Sequence, residues 1–278
     1  MDRSNKAPLG LTDLGTASIA TKGDPIMGEP DTGGSRRPVS VSPTIEAWRC
    51  AACRAPLSVT DSSMHLANSD GVHFCQIGKR FFFLDSGRDR YLGTSEDTGE
   101  ALIRAINGTS ILGTDETKLE PLLTDGLIRI TEDSAQCLCA TIRTPAQKAW
   151  VPDRRAGLFL TLAAIAAQKR AAADIRKRGF RRAVEARSNG LKPWRHRVQA
   201  AAVIAAFRAS DLFVTADKRC LMKSLSLYEL LRKSGHTPSL MIGVRDYPFT
   251  AHAWVELDEA VVNDTADNIR LYQPIMVV

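Results

Sequence analysis

Asp217-Lys218-Arg219-Cys220-Leu221-Met222-Lys223-Ser224-Leu225 stands where the chain changes character. Upstream, from 145 to 214, Ala, Arg and Leu dominate, β-branched residues are few, and the reading is helical. Downstream come strand-like runs, SLMIGV (239–244), AHAWVEL (251–257) and AVVND (260–264). Residues 217–233 place Leu221, Leu225, Tyr228 and Leu231 near one stripe, with Gly235 as a stop, which predicts an amphipathic helix. With Asp217 as its N-cap, Cys220 is the third helical residue. There the unsatisfied N–H groups and the positive end of the helix dipole favour a thiolate, the nucleophilic form of cysteine. On position alone, a core cysteine in an amphipathic helix is the simpler reading.

The strand after the helix supplies a base. In AHAWVEL, His252, Trp254 and Glu256 share one face. Asp264 follows in AVVND, on the partner strand of a hairpin. A three-residue turn (258–260) puts Asp264 on the face of His252, diagonal to it. A two-residue turn points it away. Thiol, imidazole and carboxylate in the order Cys220, His252, Asp264 follow the logic of a catalytic triad: nucleophile, base and the group that orients the base. His236, in the loop after the helix, is a second candidate base without an evident carboxylate partner.

The rest of the chain sets limits. Its 278 residues allow one large domain or two small ones. The net charge of +6 is unevenly spread: residues 143–219 carry 18 basic and 5 acidic side chains, whereas residues 63–142 carry 7 and 12. The Arg-rich run 169–187 reads first as a solvated helical face. No apolar run approaches the ~20 residues of a membrane helix. The N-terminus lacks a basic start followed by an apolar stretch, so a cytoplasmic protein is expected. Six scattered cysteines argue for one functional thiol rather than a disulfide framework. Cys50 and Cys53 form a lone C-x-x-C, and Cys137 and Cys139 are wrongly spaced to complete a zinc ribbon. No metal and no cofactor are expected. Residues 1–45 are rich in Gly, Pro, Ser, Thr and Asp without a period; 1–63 is expected to be a disordered extension, with Met27 and Met64 as alternative starts. Residues 64–142 read as a small α+β unit. It has three strand-like runs, a turn at 86–89, a helix after Ser95, another from about Asp115 with Leu119, Leu122 and Leu123, and a closing strand LIRI.

Several blocks fall in order: Arg219-Cys220-Leu221 with Ser224-Leu225, Gly235-His236-Thr237-Pro238, Gly243-Val244-Arg245, Pro248-Phe249, Ala251 to Glu256, and Asn263-Asp264. Over about residues 205–270 they resemble the leader-peptidase half of lasso-peptide B proteins, which are transglutaminase-like cysteine proteases. The resemblance implies Cys220 as nucleophile, His252 as base and Asp264 as orienting acid. Upstream, Gly71-Val72-His73, Phe81 to Asp85, Arg90 to Gly93 and the helix after Ser95 look like a RiPP recognition element, a PqqD-like winged-helix fold, fused ahead of the peptidase. That family binds its leader peptide as an added strand on a sheet edge beside a helix. The carry-over groove is Arg90, Tyr91, Leu92, Gly93 and Thr94 with Lys118, Leu119, Leu122 and Leu123. Plain core packing is an equal reading of Tyr91, Leu92 and Leu123.

The implied fold is α+β. It has a winged-helix-like recognition domain (64–142) and a helical, transglutaminase-like peptidase domain (143–278). The implied function is to bind the leader of a lasso-type precursor and to cut it from the core. The implied partners are that precursor and an ATP-dependent, asparagine-synthetase-like cyclase. One alternative is acyl transfer or amide hydrolysis on another substrate by the same triad. Another is a winged-helix nucleic-acid-binding protein, against which the acidity of 63–142 weighs.

Overall fold

The computed structural model describes residues 10–17, 65–106, 115–132, 138, 144–150, 156–211, 213 and 220–278. Asp217, Cys50, Cys53, Cys137 and Cys139 lie outside them. The architecture is mixed α+β.

The first unit is built on a meander of β3 (Val72–Ile77), β4 (Arg80–Asp85) and β5 (Arg90–Thr94). The turn between β4 and β5 is closed by Asp85, whose Oδ1 accepts the N–H groups of Gly87 and Arg88 at 3.0 and 2.9 Å. The run RFFFLD lacks polar alternation because both faces of this sheet are buried. Phe81 and Phe83, with Phe74 and Leu92, pack under α1 (Glu96–Ile106) and α2 (Glu116–Thr124). Phe82 and Leu84, with Cys75 and Tyr91, belong to a second core shared with the other unit. β2 (His65–Asn68) and β6 (Ile128–Thr131) form a separate ribbon.

The second unit opens with β7 (Lys148–Ala149) and three helices, α3 (Leu158–Ser188), α4 (Ala200–Ser210) and α5 (Cys220–Lys233). β8 (Ser239–Arg245), β9 (Thr250–Leu257), β10 (Ala260–Val261), the short α6 (Ala266–Ile269) and β11 (Gln273–Val277) follow. The sheet order is β11-β8-β9-β10-β7, and α5 lies between this sheet and α3, buried over most of its length. The units are joined by more than apolar contact: Arg80 Nη1 meets Asp246 Oδ1 at 2.6 Å, and Phe249 stacks on Phe82 with ring centroids 6.0 Å apart. Among the described residues no helix is long and apolar enough to cross a membrane.

Three expectations need correcting. Residues 11–16, read as part of a disordered extension, form a strand, β1 (Leu11–Thr16), paired antiparallel with β5. Its backbone bonds are satisfied by a distant partner, which local composition does not report. Lys148–Ala149, inside a stretch read as helical, pairs parallel with β10. Two residues are too few to show a period. The Arg-rich run is not wholly a solvated face. Arg187 is 3% exposed and donates to Glu229 Oε2 on α5 at 3.0 Å and to Asp174 Oδ2 at 2.9 Å.

Candidate active site

The first turn of α5 is fastened to β9 by a buried polar relay. Ser224 lies one turn after Cys220, on the same side of the helix. Its hydroxyl donates to the Ala253 carbonyl at 2.7 Å and accepts from Asn263 Nδ2 at 2.9 Å. Asn263 Oδ1 in turn accepts the Val255 N–H at 2.8 Å. Ser224 has no exposed surface, so each of these bonds replaces one that water cannot supply. The relay ties the helix that begins at Cys220 to the strand residues flanking His252. Cys220 itself is half-buried.

His252 Nε2 is hydrogen-bonded to Asp264 Oδ2. The route differs from the one anticipated. The turn of the β9–β10 hairpin has two residues, Asp258 and Glu259, both with positive φ (49° and 61°), and Ala260 pairs with Leu257. A continued ladder would aim Asp264 away from His252. The ladder instead stops at Val261, and the bend through 262–264 turns the carboxylate back onto the imidazole. Asp264 is then fixed from its own side. Its Oδ1 accepts the Thr265 N–H at 2.7 Å, and Asn268 Nδ2 reaches both oxygens at 3.1 and 3.0 Å. Thr265 caps α6, with its Oγ1 accepting the Asn268 N–H.

The remaining ring nitrogen, Nδ1, is buried. The Cys220 thiol acts on the charge of the ring. Burial pulls the imidazole pKa down. The bond to Asp264 and the influence of Cys220 outweigh it and push the value up to about 9. For Asp264, burial raises the pKa, but the His252 bond, the Thr265 N–H and the Asn268 amide hold it below the usual carboxylate range. A histidine protonated at neutral pH beside a thiol and an ionised carboxylate is equipped to give a proton to a leaving group and take one back.

Aromatic rings wall the imidazole. Trp254 lies nearly parallel to it at 6.0 Å between centroids, and Tyr272 lies at 5.0 Å. Trp254 Nε1 donates to Glu256 Oε1 at 2.9 Å, which also accepts the Ala146 N–H. On β8, Gly243 pairs with His252. A Cβ there would come within 2.8 Å of the Trp254 ring and 2.9 Å of Tyr272 Cβ.

His236 is held elsewhere, with Nε2 2.8 Å from the Val198 carbonyl. Of the proposed groove residues, Tyr91, Leu92 and Thr94 are fully buried, and Arg90 pairs with Asp125. Gly93 is covered by Leu14 of β1, whose Cδ1 would lie 3.0 Å from a Cβ at that position. Leu119 and Leu122 sit in the core between α2 and the sheet rather than on an open face; Leu123 and Lys118 are half-buried. Burial, and then the electrostatic influence of Cys220, push the Tyr91 hydroxyl pKa above its ordinary value. Sequence reasoning quoted Ser224 and Asn263 without assigning them work. It missed Asn268, Tyr272 and the tight fit at Gly243. An amide four residues after Asp264 was the one available signal.

Residues 162–277 match the family model of the transglutaminase-like superfamily, a span that contains Cys220, His252 and Asp264. No curated protein and no solved structure matches the chain.

Proposed function

We propose that the chain is a cysteine peptidase that holds the leader of a lasso-type ribosomal precursor along β5, the strand on which β1 lies, and cuts leader from core. The observation that carries this reading is the Cys220–His252–Asp264 group on a transglutaminase-like scaffold, beside a unit whose strand β5 contributes Tyr91 to the core against which Cys220 packs.

In the proposed reaction, the Cys220 proton already resides on His252 Nδ1, and Cys220 Sγ attacks the carbonyl at the junction as the thiolate. Asp264 holds Nε2 and stabilises the imidazolium. The Cys220 backbone N–H, at the start of α5, donates to the oxyanion. Collapse breaks the C–N bond, and the imidazolium gives its proton to the leaving amine of the core. A thioester to the leader remains. His252 then takes a proton from water, hydroxide displaces the thiolate, and the leader leaves as a carboxylate. The freed core amine suits ring closure by a separate ATP-dependent, asparagine-synthetase-like cyclase.

The test is to incubate the full chain with a proteome-derived peptide library and with glycine methyl ester, and to read products by mass spectrometry. New termini that gain water and vanish in Cys220→Ala support the peptidase. Amide adducts of the ester in place of hydrolysis products would assign the triad to acyl transfer. Products indifferent to Cys220→Ala would overturn both.

A further inference from the structure

β1 comes from far away in the chain. Residues 18–64 separate it from the unit it joins, yet it covers β5 along its whole length. The pairing is antiparallel, Leu11 with Thr94, Thr12 with Gly93, Asp13 with Leu92, Gly15 with Tyr91 and Thr16 with Arg90, with an irregularity at Leu14. This is the geometry of a peptide added to an open sheet edge, with main-chain bonds for affinity and pockets at intervals for selectivity.

The pockets are occupied by specific side chains. Gly10 (φ 97°) passes so close to the start of α1 that a Cβ would lie 2.7 Å from Thr98 Oγ1, and its carbonyl accepts the Ser95 N–H at 2.9 Å. Leu11 is buried in the core beneath α1 and α2. Leu14 lies over Gly93, and Ala17 is fully buried, its N–H donating to the Asp89 carbonyl at 2.9 Å. Thr12, Asp13 and Gly15 face solvent.

The direction of the strand matters most. It enters at α1 and leaves past Tyr91, a β5 residue of the core against which Cys220 packs. Ala17, at its exit, belongs to the same core as Phe82 and Tyr91, against which Cys220 packs. The segment is therefore threaded with its C-terminal end toward the thiol, as an acyl donor must be.

We propose that Leu11–Ala17 is a substrate strand carried in cis: the chain seats its own N-terminal segment on β5, and Cys220 cuts the backbone C-terminal to Ala17. This rests on the peptidase reading above and adds that enzyme and substrate are one polypeptide. Cys220 Sγ forms a thioester with the acyl side of the cut. The amine of the remaining chain departs with the proton from His252, and water then releases the N-terminal fragment as a carboxylate. Departure of that fragment opens the β5 edge.

Intact-mass measurement of the purified full chain over time tests this, with Cys220→Ala as control. Loss of an N-terminal fragment containing Leu11–Ala17 is expected from the wild type alone, with a half-time unchanged on 100-fold dilution, as for a tethered substrate. Isotope-labelled Cys220→Ala chain mixed with wild type should stay whole. Leu11→Asp and, independently, Gly10→Val should slow the cut at least 10-fold while circular dichroism stays that of the wild type. A wild-type chain that stays whole while library peptides are cut would overturn the cis proposal and leave the peptidase standing. A chain that stays whole and cuts no peptide would overturn both. Cleavage of the labelled chain at the wild-type rate would show that the strand is a substrate in trans.

Discussion

At His252, burial and charge pull in opposite directions, and a titration measures which wins. The imidazole is expected to titrate near pH 9 in the NMR spectrum of the labelled chain. Because its folded pKa is raised above the ordinary ~6.5, its stabilising contribution is complete below about pH 6.5 and fades as pH rises through about 9. In Asp264→Asn the largest upward influence is gone while burial remains, so the midpoint should fall below 9. An unmoved midpoint would remove Asp264 from the site. Asp264 has the opposite sign: its contribution is present above the usual carboxylate pKa and is lost as pH falls below it. Gly243→Ala is the steric counterpart. Its methyl must displace Trp254 or Tyr272, both of which face the imidazole, so hydrolysis should drop at least tenfold with far-UV circular dichroism unchanged. Full activity in that variant would show that the aromatic wall has no part in holding His252.

At the scale of elements, α5 carries the most. Glu229, 4% exposed, accepts from Arg187 and Lys233 and lies 3.4 Å from Arg170. Glu229→Ala leaves the Arg187 guanidinium buried with one carboxylate fewer, and urea denaturation should register a loss of about 3–5 kcal/mol. A loss below about 1 kcal/mol would mean that water already reaches Arg187. This helix was legible in the sequence because its apolar stripe is long and its glycine stop clear, and Cys220, His252 and Asp264 could be singled out from residue type and order. What could not be read were features that depend on where the chain ends a ladder or finds a partner. The two-residue turn at Asp258-Glu259 seemed to forbid the His252–Asp264 bond, and a bend after Val261 restores it. Arg187 looked solvated because its carboxylate partner lies on another helix. β1 has strand structure only because β5 completes its ladder.

Across the whole molecule, the sheet β3–β5 serves two cores at once, so the units do not behave as beads on a string. A fragment of residues 64–142 alone would expose Phe82, Leu84 and Tyr91, which are at most 1% exposed in the full chain. It is expected to bind the dye ANS strongly and to associate at micromolar concentration, because an apolar patch of that kind seeks a partner. A monomeric fragment that ignores the dye would show that the shared core is dispensable.

The packing of Phe249, stacked on Phe82 and edge-on to Tyr91 and braced by Arg80 and Asp246, has a geometric consequence. In the proposed reaction it bolts β5, the strand that would set a peptide's register, to the unit that carries Cys220, and so would work as a ruler. The length of peptide between the seated strand and the thiol then fixes the place of the cut, and the side chains at the cut matter less. Two residues added directly after Ala17 should move the cut two positions upstream in the native sequence, a displacement that the mass of the released piece reports directly.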